Sequence, residues 1–213
     1  MTAREPDPKR FYGERVPAQF NRTLEAQRRQ SEEAGEGSDA ASVLHAMTAV
    51  NASILVVIRE QGEERYALDV ERGVMSPAAA PGREPFMTLV HDLESFRVLE
   101  RESGDSILAF LGAIAGLGDE MRLTTRRVEN LCAIAGTIRF ERSGEDAFSL
   151  LAHFGFTPLA ESPAATISLD AATYGELERG ELEPQDAFLS GRVEVGGDLQ
   201  VAIQLALAAL APD

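Results

Sequence analysis

A single cysteine, Cys132, excludes an internal disulfide and leaves a zinc cluster without its second thiol. It fits a reducing compartment and reads as a small buried hydrophobe. No apolar run approaches the roughly 18 residues of a membrane span. The opening "MTAREPDPKRFY" puts charges where a signal peptide needs an apolar stretch, so the chain is expected to be cytoplasmic. A basic excess is also missing. With 20 Lys and Arg against 35 Asp and Glu, the net charge is -15. That excludes sequence-independent nucleic-acid binding, because no surplus cation is available to release counterions from phosphates, and it repels the chain from anionic membranes. The acids outnumber the bases 13 to 7 in residues 50–123 and 14 to 6 in 124–213, so the acidity is a solvated surface of the later parts.

Catalytic signatures are lacking as well. His45, His91 and His153 lie far apart, with no partner at metal-ligand spacing, and read as structural histidines. "GLGDEM" lacks the third glycine of a dinucleotide turn, no GxxxxGK[ST] phosphate loop occurs, and without a GxSxG elbow Ser190 has no support as a nucleophile. Glu176, Glu178, Glu181, Glu183 and Asp186 cluster around a glycine and a proline, which reads as a solvated helix end. No catalytic residue, metal or cofactor is assigned. An enzyme acting on an apolar substrate has no nucleophile, base or metal ligand to name, and an activity abolished by Glu-to-Gln changes at Glu176, Glu178 or Glu181 would revive that reading.

What the chain does contain is patterned. Val16, Phe20 and Leu24 at steps of four predict a docking helix, ended by a loop in "QRRQSEEAGEGSDA". Ser38 or Asp39 can cap a second helix through "AASVLHAMTAV". Residues 53–73 predict a hairpin turning at Gly62, and 137–155 predict another, with Ile138 and Phe140 alternating against Arg139 and Glu141. "TLVHDLESFRVLER" (88–101) aligns without gaps to "TISLDAATYGELER" (166–179), each reading as a strand, an Asp cap and a helix. Phe96 and Leu99 fall opposite Tyr174 and Leu177. "GAIAGLGD" (112–119) likewise matches "GRVEVGGD" (191–198). Three matches in one order predict a duplication: residues 1–39 as a helix and acidic linker, 40–123 as a diverged unit, and 124–213 as the clearer unit. From Leu199 to Leu210 only Gln200 and Gln204 are polar, so the closing helix is apolar around most of its circumference and must be covered.

The stretch from Ala165 to Leu210 resembles the sterol carrier protein domain family in order: a strand, a capped helix ending at Gly180, Pro184 before Ala187 and Phe188, Gly191, an apolar strand, a Gly197-Asp198 turn and an apolar last helix. The resemblance implies an α+β fold of two tandem sterol-carrier-like units, each a curved, mainly antiparallel sheet covered by helices on one face. It implies a tunnel walled in part by the last helix and lined by Phe140, Phe148, Leu150, Ile167, Tyr174, Leu177, Phe188, Leu189, Val193, Leu199, Ile203 and Leu207. Ordinary core packing explains the same residues. The ending "APD" departs from the peroxisomal address of some family members. The expected function is non-catalytic binding or transfer of a fatty acid, acyl chain or sterol-like lipid. The competing expectation is an interaction or oligomerisation module whose units fill the cavity and which meets a protein partner or a second copy.

Overall fold

The computed structural model describes residues 7–60, 62–102 and 122–210, apart from the side chains at 178, 184, 209 and 210. Helix α1 (Pro8–Arg10), a π-helical segment (Phe11–Arg15) and α2 (Val16–Ala34) form one continuous helical run. It opens on Asp7, whose carboxylate accepts a hydrogen bond from the Arg10 amide at 2.9 Å. Val16 and Leu24 are buried and Phe20 packs against the core, as their spacing requires. The helix continues through "QRRQSEEA", expected as loop, because charged side chains are stable on a solvated face. Arg28 pairs with Glu25 there at 2.7 Å, and only Gly35, at φ 84°, ends the run.

Ser38 caps α3 (Asp39–Thr48), accepting from the Ala41 amide at 3.2 Å. The first hairpin, β1 (Asn51–Arg59) and β2 (Glu63–Glu71), continues into β3 (Val74–Ala78), a strand that sequence reading missed. Pro77 masks β3, and is tolerated because the strand lies at a sheet edge. Next come β4 (Pro85–His91) and α4 (Leu93–Glu102), then α5 (Thr125–Cys132), β5 (Gly136–Ser143), β6 (Phe148–Phe154), β7 (Ala165–Asp170), α6 (Ala171–Glu178), α7 (Pro184–Leu189), β8 (Val193–Gly197) and α8 (Leu199–Leu210). Asp92 and Asp170 cap α4 and α6 as expected, accepting from the amides of Ser95 at 2.6 Å and Thr173 at 2.7 Å. The first member of the "GAIAGLGD" match lies outside the described residues.

The fold is α+β, and the eight strands among the described residues lie in one open mixed sheet of order β3-β2-β1-β4-β6-β5-β7-β8. Where two separate sheets were expected, the antiparallel pairing of β4 with β6 joins both sets of strands. Each set repeats one register. Val56 lies between Tyr66 on an antiparallel neighbour and Leu89 on a parallel one, while Phe140 lies between Leu150 and Ile167 in the same two senses. On β5 the alternation is plain: Ile138 and Phe140 are buried, whereas Arg139 and Glu141 reach solvent. Helices α6 and α8 both pack on β5 and β7, so they cover that buried face.

At the N-terminal end, Phe11 and Tyr12 are both fully buried. Phe11 meets Phe96 edge-on at 5.4 Å, and Tyr12 lies against Tyr66 and His91. The Nδ1 of His91 is 2.9 Å from the Asp92 carbonyl and therefore carries the proton, so Nε2 accepts from the Tyr12 hydroxyl at 2.7 Å. Arg15 closes the segment on Glu100 at 2.5 Å.

Burial pushes the His91 pKa down, and the Asp92 carbonyl and carboxylate oppose that shift. The folded state therefore holds a neutral imidazole, while the unfolded chain binds a proton near pH ~6.5. Stability is full above that value and falls as the pH drops below it. Denaturant melts are expected to lose stability as the pH falls below about 6.5, a slope that His91→Phe removes. Phe11→Ala is expected to cost about 3–5 kcal/mol at neutral pH, measured by the same melts.

Candidate functional site

The twelve residues expected to line a tunnel fall into a buried group and an exposed group, with Val193 between them. Phe140, Phe148, Leu150, Ile167, Tyr174 and Leu177 are buried in the common core. Their strand members share one face, since Phe140 pairs across to Leu150 and Ile167, and α6 lays Tyr174 and Leu177 over it. Val193 is half-buried at the sheet's end. The other five face solvent: Phe188 at 44% and Leu189 at 72% on α7, and Leu199 at 47%, Ile203 at 50% and Leu207 at 64% on α8. The structure thus does not gather all twelve around one enclosed space.

The reason lies in how α8 sits. Ala202 and Ala208 are buried against the core, with Val201 and Leu205 partly so. Small alanines let the helix lie close, and the larger Leu199, Ile203 and Leu207, spaced by four, form a row on its exposed side. Large apolar groups normally take the covered side of a helix, so this inversion leaves an apolar surface that invites a partner. An open cleft of about 240 Å³ runs between α8 and α5, lined by Asn130, Ala133, Ile134, Gln204, Leu207 and Ala208.

A second cleft of about 380 Å³ lies near the ends of β5, β6 and β7, where Asp92, Glu94, Glu141 and four serines line it together with Arg142, Ala147 and Phe148. Arg142 was not anticipated as a site residue. Its signal was present, because it continues the buried alternation of Ile138 and Phe140 on β5. Its guanidinium lies over the rings of Phe148 at 5.1 Å and Tyr174 at 4.9 Å and donates to the Asp146 carbonyl.

Arg192 holds α7 and β8 to α6. It donates to both carboxylate oxygens of Glu176, at 2.7 and 2.8 Å, and to the Thr173 hydroxyl at 3.2 Å. Arg192 holds the Glu176 carboxyl below its ordinary pKa, and Arg179 does the same to Glu181. A general acid working near neutrality needs the opposite shift, so these two acids are poorly placed for that work. The side chain of Glu178 lies outside the described residues. The Nε2–H of His153 donates to the Thr157 carbonyl at 2.6 Å, and its Nδ1 is hydrogen-bonded with the Thr137 hydroxyl at 2.9 Å, as in a structural histidine. Cys132 is half-buried, and burial together with Glu129 raises its thiol pKa. Among the described residues no group of three His, Cys, Asp or Glu could hold a metal, and no helix is long and apolar enough to cross a membrane.

Residues 124–209 match the model of the SCP-2 sterol transfer family. The match does not extend to residues 40–123. Among curated proteins none matches the chain. Solved structures are similar to it at low identity. Sterol Carrier Protein 2 from Yarrowia lipolytica, in its apo form, is 17% identical, covering 48% of this chain and 91% of that one at a TM-score of 0.32. Sterol Carrier Protein 2 Like 2 from Aedes aegypti is 16% identical, covering 54% and 94% at 0.31. The sterol carrier protein domain 2 of Helicoverpa armigera is 16% identical, covering 56% and 91% at 0.28.

The two groups of apolar residues differ in what they hold up. Ile167→Ala is expected to cost about 2–5 kcal/mol in urea denaturation, whereas Leu207→Ala stays within about 0.5 kcal/mol of the parent.

Proposed function

We propose that the C-terminal unit binds an elongated apolar molecule, such as a fatty acid, an acyl chain or a sterol-like lipid, and releases it unchanged. The observation that carries this reading is the solvent-facing row of Leu199, Ile203 and Leu207 on a twelve-residue helix without a single charge. The match of residues 124–209 to a sterol transfer family supports the same ligand class. The driving force is removal of hydrocarbon from water, at roughly 25 cal/mol per Å² of apolar surface, with few polar contacts and hence broad selectivity. The cleft between α5 and α8, at about 240 Å³, is smaller than the roughly 300–1,000 Å³ of most small-molecule sites. A long chain would therefore lie partly in the cleft and partly along the α8 row.

Residues 40–123 and 124–213 are read as two tandem units behind the segment 1–39, supported by their matched strand registers and by equivalent Asp caps before α4 and α6. The ligand is assigned to the second unit, because in the first Phe11 and Tyr12 already cover Phe96. The lone cysteine is in keeping with a cytoplasmic setting.

Solvent extraction of the natively purified protein, read by mass spectrometry, is expected to yield a bound lipid, and a fluorescent fatty acid is expected to bind saturably. Ile203→Ser should weaken the probe roughly fivefold or more while leaving the melting curve in place. Absence of both extracted lipid and saturable binding would overturn the reading.

A further inference from the structure

The two edges of the sheet are treated differently. At β3 the outward amide and carbonyl of Met75 are both taken by one side chain, with Asn21 accepting and donating at 2.9 Å each, and α2 packs along that edge. This is how a protein blunts an edge strand against pairing. At β8 no comparable cover exists among the described residues. The Asp198 amide donates to the Ala164 carbonyl at 2.8 Å, and the ladder continues antiparallel through Gly196 opposite Thr166 and Glu194 opposite Ser168. Hydrogen-bonding direction alternates along such a ladder, so Gly196 and Glu194 turn their backbone groups toward β7, while Val193 and Val195 turn theirs to the open edge.

We propose that β8 is a self-complementary edge through which two copies of this chain pair antiparallel about a two-fold axis at Val195. This inference does not rest on the binding of a ligand. An isologous strand pair needs outward backbone groups opposite each other in both copies. Centring on Val195 provides this: Val195 faces Val195 of the second copy and Val193 faces Gly197. The same register sets Glu194 opposite the small, uncharged Gly196, and Arg192, which its own chain holds through Glu176, opposite Asp198. A register centred on Glu194 would instead oppose two carboxylates, which is unfavourable. Beside the strand, α7 packs on β8 and exposes Phe188 and Leu189, apolar surface that a second copy would cover.

Position 196 offers a test whose sign can be set in advance. A side chain added at Gly196 meets nothing within 4 Å in the single chain, and the glycine's φ lies outside the region that strains other residues. In the paired strands it would stand beside Glu194 of the other copy, twice by symmetry. Sedimentation and light scattering across a concentration series are expected to show a reversible dimer. Gly196→Glu should weaken it and Gly196→Lys should tighten it, each roughly two- to tenfold. Val195→Pro, which removes an outward amide, should abolish it, with circular dichroism confirming that all three variants are folded. Hydrogen exchange at the Val195 amide should slow as the protein is concentrated. A chain that stays monomeric at its solubility limit overturns the proposal. So does a dimer whose affinity ignores the charge at position 196, or moves the same way for both charges.

Discussion

The pairing of β4 with β6 is the constraint on which the architecture depends. Four residue pairs, from Met87 opposite Phe154 to Val90 opposite Leu151, close what would otherwise be two unpaired edges in the middle of the molecule. Their burial lets Leu89 and Ala152 join one continuous core with residues from both halves of the chain. Edge strands are exposed liabilities, and joining two of them removes both at once. The edges that remain are β3, covered by Asn21 and α2, and β8, which carries no such cover among the described residues.

The two halves solve the same local problem with different chemistry. Phe96 on α4 and Tyr174 on α6 are aromatic rings laid by an Asp-capped helix on the covered face of the sheet. In the first half Phe11 and Tyr12 arrive from the N-terminal segment and cover Phe96 with aromatic surface, fixed by the Tyr12–His91 hydrogen bond. In the second half Arg142 reaches across from β5 and covers Tyr174 with a guanidinium plane. A buried aromatic cluster is sealed by dispersion and dry packing, while a cation over rings keeps one side near polar groups and water. The aromatic cluster of the first half is thereby covered by its own chain, while among the described residues one cleft lies between α5 and α8 and another near the ends of β5, β6 and β7.

Much of this was legible because it follows from neighbours in the chain. The Asp92 and Asp170 caps, the Ser38 cap, the two hairpins and the apolar closing helix all depend on interactions within a few residues, which spacing and residue type report directly. The strand β3 escaped notice because Ser76 and Pro77 weaken its pattern, and it is held by β2 and α2 from outside its own sequence. The reach of α2 to Ala34 was missed for a related reason, since charge on a solvated helix face resembles charge in a loop.

Sequence alone determined which side chains are apolar, where each helix is capped and which residues alternate across a strand, for these are set by covalent geometry and short-range hydrogen bonds. Only the tertiary structure decided which side of α8 is covered. Ala202 and Ala208 permit a close approach to the sheet that Leu199, Ile203 and Leu207 would prevent, so packing distance turned the larger side chains toward solvent. Tertiary structure likewise joined β4 to β6, because partners some sixty residues apart are chosen by the shape and edges of surfaces that exist only once each half has folded.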